Sequence, residues 1–179
     1  MTSRPHTTIP LTNIRAIAGI FLCIALTWPA RAQNQSSAQR TAAKENLVTT
    51  HAIGTFDVKA TPVTTDGLDA DLSRLNLEKH FHGDLDGTSK AVMLAASTSV
   101  KGSAGYVAME KVTGTLKGHS GTFILQHSGT MTRGEPQLKV SVVPDSGTGE
   151  LVGLTGTMDI KIANGKHSYD FEYTLAATP

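Results

Sequence analysis

Apolar and polar residues alternate along almost the whole chain after residue 46. The segment 167–175 shows this most clearly, because Tyr169, Phe171, Tyr173 and Leu175 are each separated by one polar residue. A period of two places successive side chains on opposite faces of a strand, whereas an amphipathic helix needs a period near 3.6. No stretch of useful length holds the helical period, so the sequence predicts an all-β protein.

The alternation divides into about eight strands. They are expected at residues 56–59, 75–82, 90–100, 105–116, 122–131, 137–143, 157–162 and 167–175. Asn164-Gly165 predicts a tight type I′ hairpin, which needs positive φ at both central residues. The other links are also short and glycine-rich, which indicates an antiparallel meander. Eight such strands without helices remove their exposed edges best by closing into one antiparallel barrel.

The chain is expected to begin with a cleaved secretory signal. Residues 1–15 carry two arginines and no acid, residues 16–28 are almost wholly apolar, and Ala30-Arg31-Ala32 forms a cleavage site. The apolar run is shorter than the roughly 20 residues that span a bilayer. We therefore predict a signal peptide at 1–32, a flexible tether at 33–47, a barrel domain at 48–177 and a secreted or periplasmic location. Stable membrane insertion after cleavage is not expected.

The charge of the mature chain does not indicate a nucleic-acid partner. Removing residues 1–32 takes three of the 16 basic residues and none of the 15 acids, which leaves a net charge of about −2. A net charge this close to zero gives no argument for binding to nucleic acid or to an acidic membrane, so no nucleic-acid partner is predicted. Cys23, the single cysteine, lies in the predicted signal, so the domain depends on a packed core rather than on disulfides.

Three stretches resemble a known family. They are FHGDLDGTSKAVML, KGSAGYVAMEKVTGTLKGHSGTFILQHSGTM and VVPDSGTGELVGLTGTM, and the likeness covers about residues 50–175. These resemble the bacterial family known as domain of unknown function 3224. That family is similar in fold to the allene oxide cyclase barrel, which plant dirigent proteins also use. The resemblance implies an eight-stranded barrel and supplies no catalytic residues.

His80 and His82 are candidate metal ligands, because residues two apart on a strand share a face. Asp84 or Asp86 would then complete a site. The alternation, however, places both histidines opposite Leu75, Leu77 and Phe81. If the leucine face is the core, the histidines lie on a solvated outer face, and no metal or other cofactor is predicted.

Glu110 and His127 are the candidate catalytic residues. Their strands are joined by a tight turn, and each lies on an apolar face: Glu110 with Tyr106, Ala108 and Val112, and His127 with Phe123 and Leu125. A carboxylate in an apolar cavity has a raised pKa and serves as a general base near neutrality. Cyclases of the similar fold are thought to steer ring closure with a cavity acid, a role that Glu110 matches by chemical type.

Each of these two positions also has a non-catalytic interpretation. Val107 and Met109 are as apolar as the other face of their strand, so Glu110 is equally compatible with a solvated position. For His127 the favoured interpretation is a satisfied core histidine, with the catalytic role as the alternative. Lys79 falls on the apolar face and either needs a buried partner or reaches water at the barrel mouth.

The leading functional hypothesis is an exported barrel that binds a small apolar molecule in its interior. The candidate lining residues are Phe56, Leu77, Tyr106, Leu125, Tyr169 and Phe171, with Glu110 and His127 as polar anchors. One alternative is a cofactor-independent cyclase or isomerase that uses Glu110. Another is a filled barrel that serves as a structural or interaction module, since barrels of eight strands are found filled as well as hollow.

Strands 90–100 and 105–112 are apolar on both faces. No helix is predicted to cover the outer face, so a second subunit is the simplest cover. The sequence therefore also predicts a homo-oligomer.

Overall fold

The computed structural model describes residues 48–64, 67 and 69–175. The strands are β1 (Thr50–Val63), β2 (Leu72–Gly83), β3 (Leu85–Ser97), β4 (Ala104–Leu116), β5 (His119–Thr132), β6 (Glu135–Val142), β7 (Thr155–Ala163) and β8 (Lys166–Thr174). A single turn of 3₁₀ helix, Gly149–Leu151, lies between β6 and β7. The predicted signal peptide and tether, and the last residues of the predicted domain, lie outside the described residues. Within them, no helix has the length and apolar character needed to cross a membrane.

The eight strands form a closed antiparallel barrel in chain order. Each strand pairs with the next, and β8 returns to pair with β1 from Thr50 opposite Tyr173 to Phe56 opposite His167. This confirms the predicted fold. The β7–β8 turn also has the predicted geometry, because Asn164 and Gly165 have φ of 51° and 74°.

The β2–β3 connection is tighter than the sequence predicted, because Asp84 alone separates the two strands. Gly83 has a φ of 112°, a conformation that side chains disfavour. The amide of Ile53 donates to Asp84 Oδ2 at 3.0 Å, and the amide of Asp84 donates to the Ile53 carbonyl at 3.1 Å. At its other end β3 stops at Ser97 rather than at residue 100, since the amide of Ser103 bonds back to Val100 in a turn.

The barrel interior is packed with apolar side chains near the end where this connection lies. Its largest fully buried residues include Phe81, Phe123 and Phe171, with Leu85 and Leu116 beside them. Burying a side chain of this size contributes about 1.5–3 kcal/mol. Tyr169 joins β8 to the same end, because its hydroxyl accepts a hydrogen bond from the Leu85 amide at 2.8 Å.

The loop after β6 closes that end. It runs beside β5, where the amides of Val143 and Thr148 donate to carbonyls of β5, both at 2.8 Å. The loop then inserts Leu151 and Leu154, which are almost fully buried in the core. The segment VPDSGTGEL is thus an ordered turn and acts as a plug.

The seam between β6 and β7 is the weakest part of the barrel wall. These two strands pair only where Ser141 stands opposite Thr157. By contrast, β4 and β5 pair along the whole of β4, from Ala104 to Leu116. Away from the plug, therefore, β6 and β7 diverge.

Four apolar side chains form a patch on the outer surface of β3 and β4. Val92 stands opposite Met109, and Leu94 stands opposite Val107. All four are about half exposed. We call them the outer apolar patch.

Candidate functional site

A cavity of about 160 Å³ occupies the barrel at the end away from the plug. Its wall is mostly apolar and includes Phe56, Leu77, Met93, Tyr106, Leu138 and Ile160. Its polar residues are Lys79, Glu110, His127 and His167. Leu138 and Ile160 belong to β6 and β7, so the cavity extends to the seam between those strands.

Glu110 lies in the wall of this cavity at the centre of a buried cluster. Its Oε2 accepts hydrogen bonds from Lys79 Nζ at 2.7 Å and from His127 Nε2 at 2.8 Å. Its Oε1 accepts one from Ser89 Oγ at 2.5 Å. All four residues are buried. We call Lys79, Ser89, Glu110 and His127 the Glu110 cluster.

The strand register brings these four residues together. Lys79 stands directly opposite Ser89 on β2 and β3. Glu110 is the partner of Leu125 and is therefore a diagonal neighbour of His127, two residues further along β5. Ser89 is likewise a diagonal neighbour of Glu110, since it pairs with Val112. Diagonal positions are within reach of long side chains, so four adjacent strands converge on one carboxylate.

The pKa of Glu110 is lowered from 4.5 to about 2. Burial by itself raises this pKa, but the hydrogen bond from His127, the charge and hydrogen bond of Lys79, and the hydrogen bond from Ser89 together outweigh it. The prediction of a raised pKa was therefore wrong, because it took no account of the partners. At neutral pH the side chain is a carboxylate and a poor base.

His127 contributes the imidazole of the cluster. Because Glu110 is ionised, the bond between them requires a hydrogen on Nε2, which leaves Nδ1 of the neutral ring as an acceptor. His127 is one of the residues that line the cavity. The described residues provide no hydrogen-bond partner for its Nδ1.

The face of β4 that carries Glu110 points into the barrel, and the face that carries Val107 and Met109 points outward. Val107 and Met109 are 55% and 50% exposed, whereas Glu110 is 0% exposed. Of the two possibilities for Lys79, the buried partner is the one found, although the residue also lines the cavity. Ser89 was missed by sequence reasoning. Its signal was the alternation that puts it on the same face as Ala91, which is also buried.

The predicted lining residues divide into two groups. Phe56, Leu77 and Tyr106 line the cavity. Burial raises the pKa of the Tyr106 hydroxyl, with a smaller contribution from the charge of Glu110, so this group stays neutral. Leu125, Tyr169 and Phe171 belong to the buried core and are not among the residues that line this cavity.

His80 and His82 lie on the outer surface, as the alternation predicted. Their ring centroids are 4.6 Å apart, and His82 Nε2 lies 3.3 Å from Asp57 Oδ2. Among the residues that the structure describes, no group of three or more His, Cys, Asp or Glu side chains is placed to hold a metal ion.

Comparison with known proteins agrees with the predicted resemblance. The family model described as "Protein of unknown function (DUF3224)" matches residues 52–173, nearly the whole barrel. The chain is also similar to a crystal structure of a protein of unknown function from the DUF3224 family of Shewanella oneidensis MR-1. The two are 47% identical with a TM-score of 0.68, and the match covers 73% of this chain and 100% of that one. No curated protein gives a significant match. The chain therefore belongs to the DUF3224 family.

Proposed function

We propose that the barrel binds a small, largely apolar molecule in its cavity, with the Glu110 cluster as the polar anchor. The observation that carries this proposal is the meeting of a mostly apolar wall with a few buried polar groups. Small-molecule sites have this composition, because apolar contacts supply affinity and a few polar contacts set the orientation.

The size of the cavity limits the ligand. An engineered cavity of roughly 150 Å³ in another protein holds benzene, and drug-sized ligands occupy about 300–1,000 Å³. A cavity of about 160 Å³ suits a ring of six or seven heavy atoms. A larger ligand would extend out of the cavity beyond the Glu110 cluster.

The alternative of a filled barrel is less well supported. Apolar side chains and the plug fill one end, but the Glu110 cluster borders space that no side chain occupies. A purely structural barrel would be at least as stable with apolar side chains at these positions, because replacing a buried ion pair by well-packed apolar residues is often neutral or stabilising.

Native mass spectrometry of the protein purified from its own host tests the proposal. We expect a non-covalent organic mass that is lost on denaturation. Leu77→Trp, which fills the cavity with a bulky ring, should abolish it, while Ile53→Trp, at an exposed position of β1 outside the outer apolar patch, is the matched control. A protein that carries no adduct and binds neither toluene nor cyclohexanone at millimolar concentration would contradict cavity binding.

We also propose that the protein is exported, on the strength of the segment at 1–32. Expression of the full chain in a bacterial host followed by fractionation should give a periplasmic or secreted product that begins at Gln33. An uncleaved chain in the cytoplasm would contradict export.

A homo-oligomer that covers the outer apolar patch is the proposed assembly, because about half of each of these four side chains is exposed. Val107→Ser combined with Met109→Ser should lower the mass measured by light scattering to that of a monomer. A wild-type protein that is already monomeric would contradict the assembly.

A further inference from the structure

We propose that His127 is a general base that moves a proton to and from the carbon beside a carbonyl group, with Lys79 stabilising the enolate that forms. The ligand class is a small cyclic or branched ketone, and the activity is enolisation or double-bond isomerisation. The inference rests on the proposed function, because the ketone must first occupy the cavity.

The first requirement is a base with a free lone pair that faces the ligand. Glu110 holds the hydrogen of His127 on Nε2 at 2.8 Å and so directs the lone pair to Nδ1. The same carboxylate stabilises the imidazolium that forms when Nδ1 takes a proton. An acid–histidine pair that orients and stabilises an imidazole in this way is a general device for proton transfer.

The second requirement is a positive group beside the base. Lys79 Nζ bonds to the same oxygen of Glu110 as His127 does, so the ammonium and the imidazole lie side by side. One of its three hydrogens is used in that bond. The ammonium lies 4.7 Å from the centroid of the Phe56 ring, which borders the same cavity. A cation in a mostly apolar site stabilises a developing oxyanion more strongly than it does in water.

The combination selects a carbonyl compound. A base alone would serve any acidic ligand, but a base and a cation side by side match the two ends of an enolate. The α-carbon loses its proton to Nδ1, the C–H electron pair forms a carbon–carbon double bond, and the carbonyl pair moves to oxygen. Return of the proton to the α-carbon restores the ketone, and return to the γ-carbon of a β,γ-unsaturated ketone gives its conjugated isomer. Neither route needs a cofactor or a second substrate.

Cyclohexanone and cyclohex-3-enone are probes of suitable size. Exchange of the α-hydrogens of cyclohexanone in D₂O is followed by proton NMR, and conversion of cyclohex-3-enone to its conjugated isomer by ultraviolet absorbance. Binding is measured separately from the methyl signals of Met93, which lines the cavity, with the half-exposed Met109 as the internal control. Toluene serves as a probe without a carbonyl.

His127→Gln is the central variant, because glutamine keeps a donor for Glu110 but has no basic nitrogen. We expect exchange by the wild type to exceed that of an equal concentration of free imidazole by at least about 100-fold. His127→Gln should remove this excess while the Met93 signal still shifts on adding cyclohexanone. His80→Gln, an exposed histidine on β2, should leave the rate unchanged.

Glu110 is a positioning residue in this proposal, and a comparison of rate with binding tests that role. Glu110→Gln should lower the exchange rate per folded molecule, while the cyclohexanone concentration that half-saturates the Met93 shift stays close to that of the wild type. A loss of folded protein alone would lower the rate and the Met93 signal together.

The outcomes separate the two proposals. If cyclohexanone shifts Met93 but exchanges no faster than with imidazole, or if His127→Gln retains the wild-type rate, proton transfer is refuted and cavity binding stands. The same holds if toluene binds and cyclohexanone does not. If neither probe shifts Met93, both proposals fail.

Discussion

Replacing Glu110 with glutamine removes the negative charge that pairs with the buried ammonium group of Lys79. The pKa of Glu110 falls from 4.5 to about 2 in the folded protein, so folding favours the ionised side chain. At about 1.4 kcal/mol per pKa unit, this shift corresponds to roughly 3 kcal/mol of stability at neutral pH. Breaking a buried ion pair on one side generally costs about 3–5 kcal/mol, which agrees. We therefore expect Glu110→Gln to lower the free energy of unfolding by about 3–4 kcal/mol.

The pH dependence gives the prediction a second signature. Because the pKa is lower in the folded state, the stabilisation is fully present above pH 4.5 and is lost as the pH falls toward 2. Wild type and Glu110→Gln should therefore differ most near pH 7 and converge in acid. At pH 7 the loss corresponds to a decrease in melting temperature of roughly 10–15 °C for a domain of this size.

Urea denaturation followed by far-UV circular dichroism, at several pH values from 3 to 7, measures both quantities. Lys79→Met combined with Glu110→Gln should recover part of the loss, because no unpaired charge remains buried. Glu78→Gln, an exposed neighbour of Lys79 on β2, is the matched control and should change nothing measurable. A loss below about 1 kcal/mol at pH 7, or a difference that does not change with pH, would refute the ionised cluster.

Three further substitutions test the fold. Tyr169→Phe removes the hydroxyl that accepts the buried Leu85 amide and should lower the free energy of unfolding by about 1–3 kcal/mol in chemical denaturation; an unchanged value would mean that the amide finds another partner. Gly129→Ala adds a methyl group that overlaps the Tyr106 ring, so the ring should move into the cavity and weaken the binding of toluene measured by NMR. Unchanged toluene binding would mean that the ring does not move into the cavity. Gly165→Ala forces a side chain into a positive φ of 74° and should cost about 1 kcal/mol, whereas an equal melting temperature would contradict the type I′ turn.

The fold was predictable because most strands are apolar on one face only. In β8, Tyr169, Phe171 and Tyr173 admit a single inward face, and all three are buried. Asn164-Gly165 is equally decisive, since few other dipeptides accept positive φ twice. Local chemistry of this kind is visible in sequence without knowledge of the neighbouring strands.

The site was predictable only in part, because it depends on register. Both faces of β4 are apolar, so alternation could not place Glu110 inside or outside. What holds Glu110 inside is Lys79, Ser89 and His127, which come from three other strands. Their convergence follows from pairing offsets that no single strand encodes. The direction of the Glu110 pKa shift was predicted wrongly for the same reason, because its hydrogen-bond partners lie on other strands.

The seam between β6 and β7 has a consequence for the timing of ligand exchange. Separating these strands breaks a single register pair, so this is the least costly place for the wall to open. If ligands enter there, β6 and β7 must separate before a ligand can bind. The observed association rate would then reach a plateau at high ligand concentration. The plateau would equal the opening rate of the protein and would be the same for every ligand.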